Sequence, residues 1–128
     1  MIELSVSRLN KRFGGNHVLK DVSFDISGAE MVGLIGPNGA GKTTLTNVLD
    51  GAVKPNSGTV YLNGTRIDQL PSFEVAKAGL GRTFQVTRSF RRMTVLENLY
   101  VPAMAQGRSH KSAEVQEEAL EVLDFLTM

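Results

Sequence analysis

A chain of 128 residues, 41% of them hydrophobic, has the length for one domain with a modest core, and its formal net charge of +1 gives no global attraction to nucleic acid or to an anionic membrane. The lack of cysteine excludes disulfides and thiolate metal sites and fits a reducing compartment. No apolar run approaches the ~20 residues that cross a bilayer, and the opening MIELSVSRLN alternates polar with apolar and carries Glu3, unlike a secretory signal.

The first elements read as strands. Ile2, Leu4 and Val6 alternate with Glu3, Ser5 and Ser7, the pattern of a half-buried strand. FGGN, Phe13 to Asn16, is a turn, and Val22, Phe24 and Ile26 alternate with Asp21, Ser23 and Asp25 in a second strand. After SGAE, the run Met31-Val32-Gly33-Leu34-Ile35 does not alternate, which predicts a strand covered on both faces in a parallel sheet. A helix is predicted from Lys42 to Leu49, with Leu45, Val48 and Leu49 on one face and Gly51 near its end. KPNSG is a turn, and TVYLNG reads as a strand closing on an Asn-Gly hairpin. A short helix is expected from Pro71 to Ala78, with proline at its first position, and a short strand from Gly79 to Gln85. Thr94 to Glu97 has capping-box spacing, so a helix starts there, which Pro102 ends or kinks. Val115, Ala119, Val122, Leu123 and Leu126 share one face of a last helix. Alternating strands before a loop and helices after it predict an α/β fold with an antiparallel flank.

The loop is GPNGAGKTT, Gly36 to Thr44, and it contains G-x-x-x-x-G-K-[ST] in full. Its glycines permit backbone angles that turn successive N–H groups inward as an anion nest. The helix start adds unpaired N–H groups and the positive end of its dipole. Lys42 brings a point charge to the β- and γ-phosphates, and the Thr43 hydroxyl suits Mg²⁺. A buried strand before the loop and an amphipathic helix after it argue against an incidental glycine-rich turn.

Many nucleotide machines share such a loop. A small GTPase needs DxxG and NKxD after it; here the only DxxG, Asp25 to Gly28, precedes it and NKxD is absent. A small-molecule kinase remains the alternative, although thirty-five residues before the loop are many for that class.

LIGPNGAGKTTLTNVLDGAVKPNSGTVYLNG and GLGRTFQ resemble the N-terminal half of an ATP-binding cassette (ABC) ATPase, from Leu4 to Leu126. RTFQ followed by FRRMTVLENL is similar to the ATPase subunits of branched-chain amino acid importers. The resemblance implies a partial P-loop NTPase. Residues 1–30 and 59–68 would form the antiparallel β flank, and 31–52 the phosphate loop and helix at the start of a RecA-like core. Residues 79–128 would hold the Q-loop and the start of the helical subdomain. It also implies ATP and Mg²⁺ as cofactors. Phe13 would stack on adenine, which needs only a π-face; a packed core phenylalanine is the other reading. Val18 would lie near the base or ribose. Asn38, Gly39, Ala40, Gly41, Lys42, Thr43 and Thr44 would form the phosphate and Mg²⁺ cradle, with Lys42 and Gln85 serving catalysis. Gln85 would reach toward Mg²⁺ and the attacking water.

Lys77, Arg82, Arg88, Arg91 and Arg92 follow one another with no acid between Glu74 and Glu97. They read as a solvated face, as a nucleic-acid patch short of aromatics, or, by the resemblance, as a permease-facing surface. The resemblance favours membrane permease subunits docking around Gln85 to Glu97 and a second ATPase subunit, with no nucleic acid and no insertion of this chain into the membrane. The location implied is cytoplasmic, peripheral on the inner face of the cell membrane.

Hydrolysis needs a magnesium carboxylate and a base. No LSGGQ-like signature and no apolar run ending in Asp-Glu occurs, and EVLDFL, Glu121 to Leu126, has helical spacing instead. His17 reads as a turn residue and His110 as a loop residue. The expectation is a truncated piece that binds MgATP without cleaving it and that is marginally stable or self-associating.

Overall fold

The computed structural model describes residues 3–84, 86 and 89–127. They form two compact units, residues 1–82 and residues 83–128.

The first unit is built on a hairpin. Strand β1, Glu3–Phe13, pairs antiparallel with β2, Asn16–Ser27, across a turn in which Gly14 has φ 56°. Strand β3, Ser57–Leu62, lies on the other side of β1, and β4, Thr65–Arg66, completes the order β2-β1-β3-β4. Asn63 and Gly64 join β3 to β4 with φ 50° and 77°, the two left-handed residues of a type I′ turn, as the Asn-Gly pair predicts. β3 begins at Ser57, two residues before the predicted start, because Ser57 pairs with Asn10 beyond a bulge.

That bulge keeps β1 in phase with the core. Leu4 and Val6 face inward and stand opposite Leu62 and Val60. Strict alternation would then turn Leu9 outward. One extra residue between Ser7 and Asn10, with Arg8 at φ 45°, returns Leu9 to full burial. Helix α1, Lys42–Leu49, lays Leu45 and Val48 on the resulting apolar face. Ile67 and Val75 close it, Val75 from helix α2, Ser72–Lys77. Pro71 caps α2 in an extended conformation (ψ 157°) rather than opening its first turn, as expected of a residue whose ring fixes φ without requiring helical ψ.

The buried polar side chain among the described residues is Asp68. It accepts the Arg66 fork at 2.9 and 3.0 Å, the Val60 N–H at 3.0 Å and the Gln69 amide at 2.9 Å. The carboxylate thus stitches the β4 end of the sheet to β3.

Two predicted strands are absent among the described residues, which exclude Gln85 at the end of the second. Met31 to Ile35 forms no ladder with any described strand, and its four side chains are exposed, Met31 completely. A non-alternating run reports only that its side chains are apolar. A strand also needs a neighbour for its backbone N–H and C=O groups, and the described residues supply none here. Residues 79–84 are likewise not a strand.

In the second unit, helix α3, Val95–Ala105, starts with the predicted capping box: the Thr94 hydroxyl accepts the Glu97 N–H at 3.2 Å, and Glu97 accepts the Thr94 N–H at 2.7 Å. Pro102 neither ends nor replaces this helix, which continues through it to Ala105. Asn98 holds the approach to it, accepting the Phe90 N–H at 2.8 Å and donating to the Thr94 carbonyl at 2.8 Å. Helix α4, Ala113–Phe125, buries Val115 and Ala119 and is clamped by Arg108 to Glu118 through two bonds of 2.8 and 2.9 Å.

Candidate functional site

Gly36 to Gly41 leads directly into α1. Gly39 and Gly41 have φ 83° and 93°, angles that a side chain resists, and Gly41 is the left-handed N-cap of the helix. No side chain caps α1 and no acid lies in its first turn. The helix start therefore presents N–H groups and the dipole's positive end with no competing anion of its own. Within the loop the Ala40 N–H donates to Pro37 at 3.2 Å, and the Leu45 N–H donates to Gly41 at 2.8 Å.

Lys42 folds back across the loop. Its Nζ donates to the carbonyls of Gly36 at 2.6 Å and Pro37 at 2.9 Å. These acceptors are neutral, and no described carboxylate pairs with the ammonium. The geometry holds a full positive charge at the loop mouth against partners weaker than an anionic oxygen.

The hairpin supplies the loop's floor. A Cβ on Gly41 would stand 3.2 Å from the Val18 carbonyl oxygen and 3.3 Å from Val18 Cγ1, so β2 packs against the loop where the helix begins. Phe13 lies at the tip of the same hairpin, opposite Asn16, and is 50% exposed. It is thus not a core residue. The Lys11 ammonium is 5.0 Å from its ring centroid and is itself held by the Lys54 carbonyl at 2.7 Å. Asn38, Gly39, Ala40 and Thr43 are exposed, and Thr44 is half-buried. Gln85 lies outside the described residues. The structure therefore gathers Val18, Gly41, Lys42 and Thr43 at one place and sets Phe13 at the tip of the adjoining hairpin.

Two side chains differ from their sequence reading. His17 is a β2 residue opposite Arg12, its Nε2 3.0 Å from the Asn10 Oδ1, rather than part of the turn. Arg82 is not part of a solvated basic face: its guanidinium donates to the Asn47 Oδ1 at 2.7 Å and pairs with Asp50, the C-cap of α1. The signal for that pair was Asp50 itself, an acid at a helix end whose last turn has no base. Lys77 sits 5.7 Å from the ring centroid of Phe73, while Arg91 and Arg92 are exposed.

Among the described residues no cluster of three His, Cys, Asp or Glu could hold a metal ion. Nor is any described helix long and apolar enough to cross a membrane.

Comparison with known proteins agrees with this geometry. The sequence pattern of the ABC transporter family matches residues 19–128. The chain is 49% identical over 98 residues to the high-affinity branched-chain amino acid transport ATP-binding protein LivG of Escherichia coli K12, covering 77% of this chain and 38% of that protein. An ATP-binding cassette solved in its ADP conformation superposes with a TM-score of 0.82 at 34% identity, over 99% of this chain and 54% of that one. A dimeric cassette in a post-hydrolysis state, bound to ADP and phosphate, gives 0.78 at 28% identity, over 98% of this chain and 57% of that one. The chain thus spans between about two fifths and three fifths of the length of these relatives. These matches set aside the alternative of a small-molecule kinase. With a glycine-rich loop packed on the antiparallel hairpin and a family pattern covering most of its length, the chain belongs to the ABC transporter family.

Proposed function

We propose that this chain is the MgATP-binding part of an ATPase subunit that powers import of branched-chain amino acids. The observation that carries the reading is Lys42, charged and unpaired by any described carboxylate, folded over a glycine loop at the open start of α1. The similarity to LivG supports the substrate class.

The residues fit the nucleotide. Triphosphate oxygens would replace the Gly36 and Pro37 carbonyls on Lys42 and take the N–H groups of the loop and first helical turn. Asn38, Gly39, Ala40, Gly41 and Thr44 would line that cradle. Half-exposed Phe13 would offer a ring face to adenine, and Val18, packed at Gly41, would lie near the base or ribose. The residues also fit Mg²⁺, which keeps waters and binds through phosphate oxygens plus few protein groups. The Thr43 hydroxyl would be its ligand in this chain, with Gln85 reaching it from the segment after Arg82. Mg²⁺ bound there would supply neutralisation of the phosphate charge.

Full-length function on this reading needs a permease meeting the region from Gln85 to Glu97 at the cytoplasmic face of the membrane, and a second ATPase subunit. The 128 residues themselves contain no LSGGQ-like signature and no apolar run ending in Asp-Glu. Binding without turnover is therefore expected of them. Calorimetry with ATP and Mg²⁺ should show binding, weakened about ten-fold or more in Lys42→Ala, as for loss of a charge-assisted hydrogen bond. Turnover by the 128 residues that Lys42→Ala abolishes would contradict the reading.

A further inference from the structure

Lys11 and Phe13 lie close together at the end of β1. The Lys11 ammonium stands over the Phe13 ring, 5.0 Å from its centroid. A surface lysine ordinarily moves freely on its flexible stem. Here its Nζ is anchored, donating to the Lys54 carbonyl at 2.7 Å. That carbonyl belongs to a segment held on both sides. The Val53 N–H donates to the Asn47 carbonyl of α1 at 2.9 Å. Asn56 donates its N–H to the Asn10 carbonyl at 2.9 Å and accepts the Arg12 N–H on its Oδ1 at 2.7 Å. The anchor of Lys11 is thus tied to β1 and to the helix that begins at the glycine-rich loop. No described carboxylate pairs with the Lys11 ammonium, so its charge acts on the ring without an anion beside it. Phe13 stands outside the core cluster and is half exposed, which leaves ring surface for a further group.

We propose that Lys11 is a positioning residue for the nucleobase: it fixes and polarises the Phe13 ring on which the base stacks. The ammonium is attracted by the ring's quadrupole, and this attraction holds the phenylalanine side chain in one orientation. A base that stacks there meets a ring already ordered, so less side-chain entropy is lost on binding. The cation also draws π-density toward itself, which weakens the repulsion between the ring's quadrupole and that of a stacked purine. The inference rests on the reading of Phe13 as the adenine platform and adds the residue that sets that platform.

The test is calorimetry of a non-hydrolysable ATP analogue with Mg²⁺ on the wild-type chain, Lys11→Met, Lys11→Arg, Phe13→Leu and Lys11→Met/Phe13→Leu. Methionine keeps an unbranched apolar stem without the charge, and arginine keeps a cation that stacks on aromatic faces. Lys11→Met should weaken binding about three- to five-fold, the size of a cation–π contact. Lys11→Arg should stay within about two-fold of the wild type. In the Phe13→Leu background, which has no ring, Lys11→Met should cost nothing further. Three results overturn the proposal: no loss in Lys11→Met, an equal loss in Lys11→Arg, or the same loss persisting in Phe13→Leu, which would make Lys11 a general attraction for phosphate. Full binding by Phe13→Leu overturns the adenine platform and the role of Lys11 while leaving the reading of the phosphate loop intact. A wild-type chain that binds no analogue overturns the nucleotide reading and the proposal together.

Discussion

Gly58 approaches Arg8 so closely that a Cβ built on it would stand 2.5 Å from the Arg8 carbonyl oxygen and 2.6 Å from the Leu9 Cα. The two residues face each other across the bulge that returns Leu9 to the core. Gly58 itself has φ 95°, so a side chain is opposed both by backbone conformation and by space. Gly58→Ala should cost at least ~3 kcal/mol of the first unit's stability, since the obstructing atoms are backbone and cannot rotate away. Urea unfolding followed by far-ultraviolet dichroism measures this; a loss below ~1 kcal/mol would show that the bulge relaxes without penalty.

Asp68 makes the same unit acid-sensitive. Burial pushes its carboxyl upward, but the hydrogen bonds from Arg66, the Val60 N–H and Gln69 outweigh that and hold it at about 2. An ordinary aspartate titrates near ~3.9. A lowered value means stabilisation that is fully present above the ordinary value and is lost as pH falls from there toward 2. The contribution is about 2 kcal/mol. Denaturant midpoints at pH 6 and pH 3 should differ in the wild type. In Asp68→Asn the difference should shrink, with the midpoint at pH 6 already lowered, because an amide cannot accept from all four donors.

The exposed run from Met31 to Ile35 presents apolar side chains and a backbone outside any described ladder. The described residues offer it no cover. The 128-residue chain should therefore self-associate with rising concentration, and Val32→Lys with Ile35→Lys should shift sedimentation-velocity profiles toward monomer. Identical profiles for wild type and double variant would place the association elsewhere.

Arg91 and Arg92 are exposed and carry no described ion pair, unlike Arg82 and Arg108. If this face meets permease subunits, Arg91→Glu with Arg92→Glu in the full-length subunit should reduce co-purification with the permease several-fold while leaving MgATP affinity within about two-fold. Unchanged co-purification would return these arginines to an ordinary solvated surface.

Features decided within a few residues were legible from the chain alone. The capping box at Thr94 and Glu97, the Asn63-Gly64 turn and the span of α1 each depend on contacts across one turn, and each stands where its residues predicted. The glycine-rich loop has left-handed glycines directly before the helix start, a local backbone feature. Tertiary structure decided what depends on distant partners. Apolar Met31 to Ile35 looked like a buried strand, yet a strand exists only where another lies beside it. Proline at 102 looked like a helix end or a kink, and the helix does not end there. Arg82 looked like one solvated cation among five until folding brought Asp50 to it. Residue type and spacing encode backbone preference and local hydrogen bonding; pairing across the fold is settled by which surfaces the core brings together.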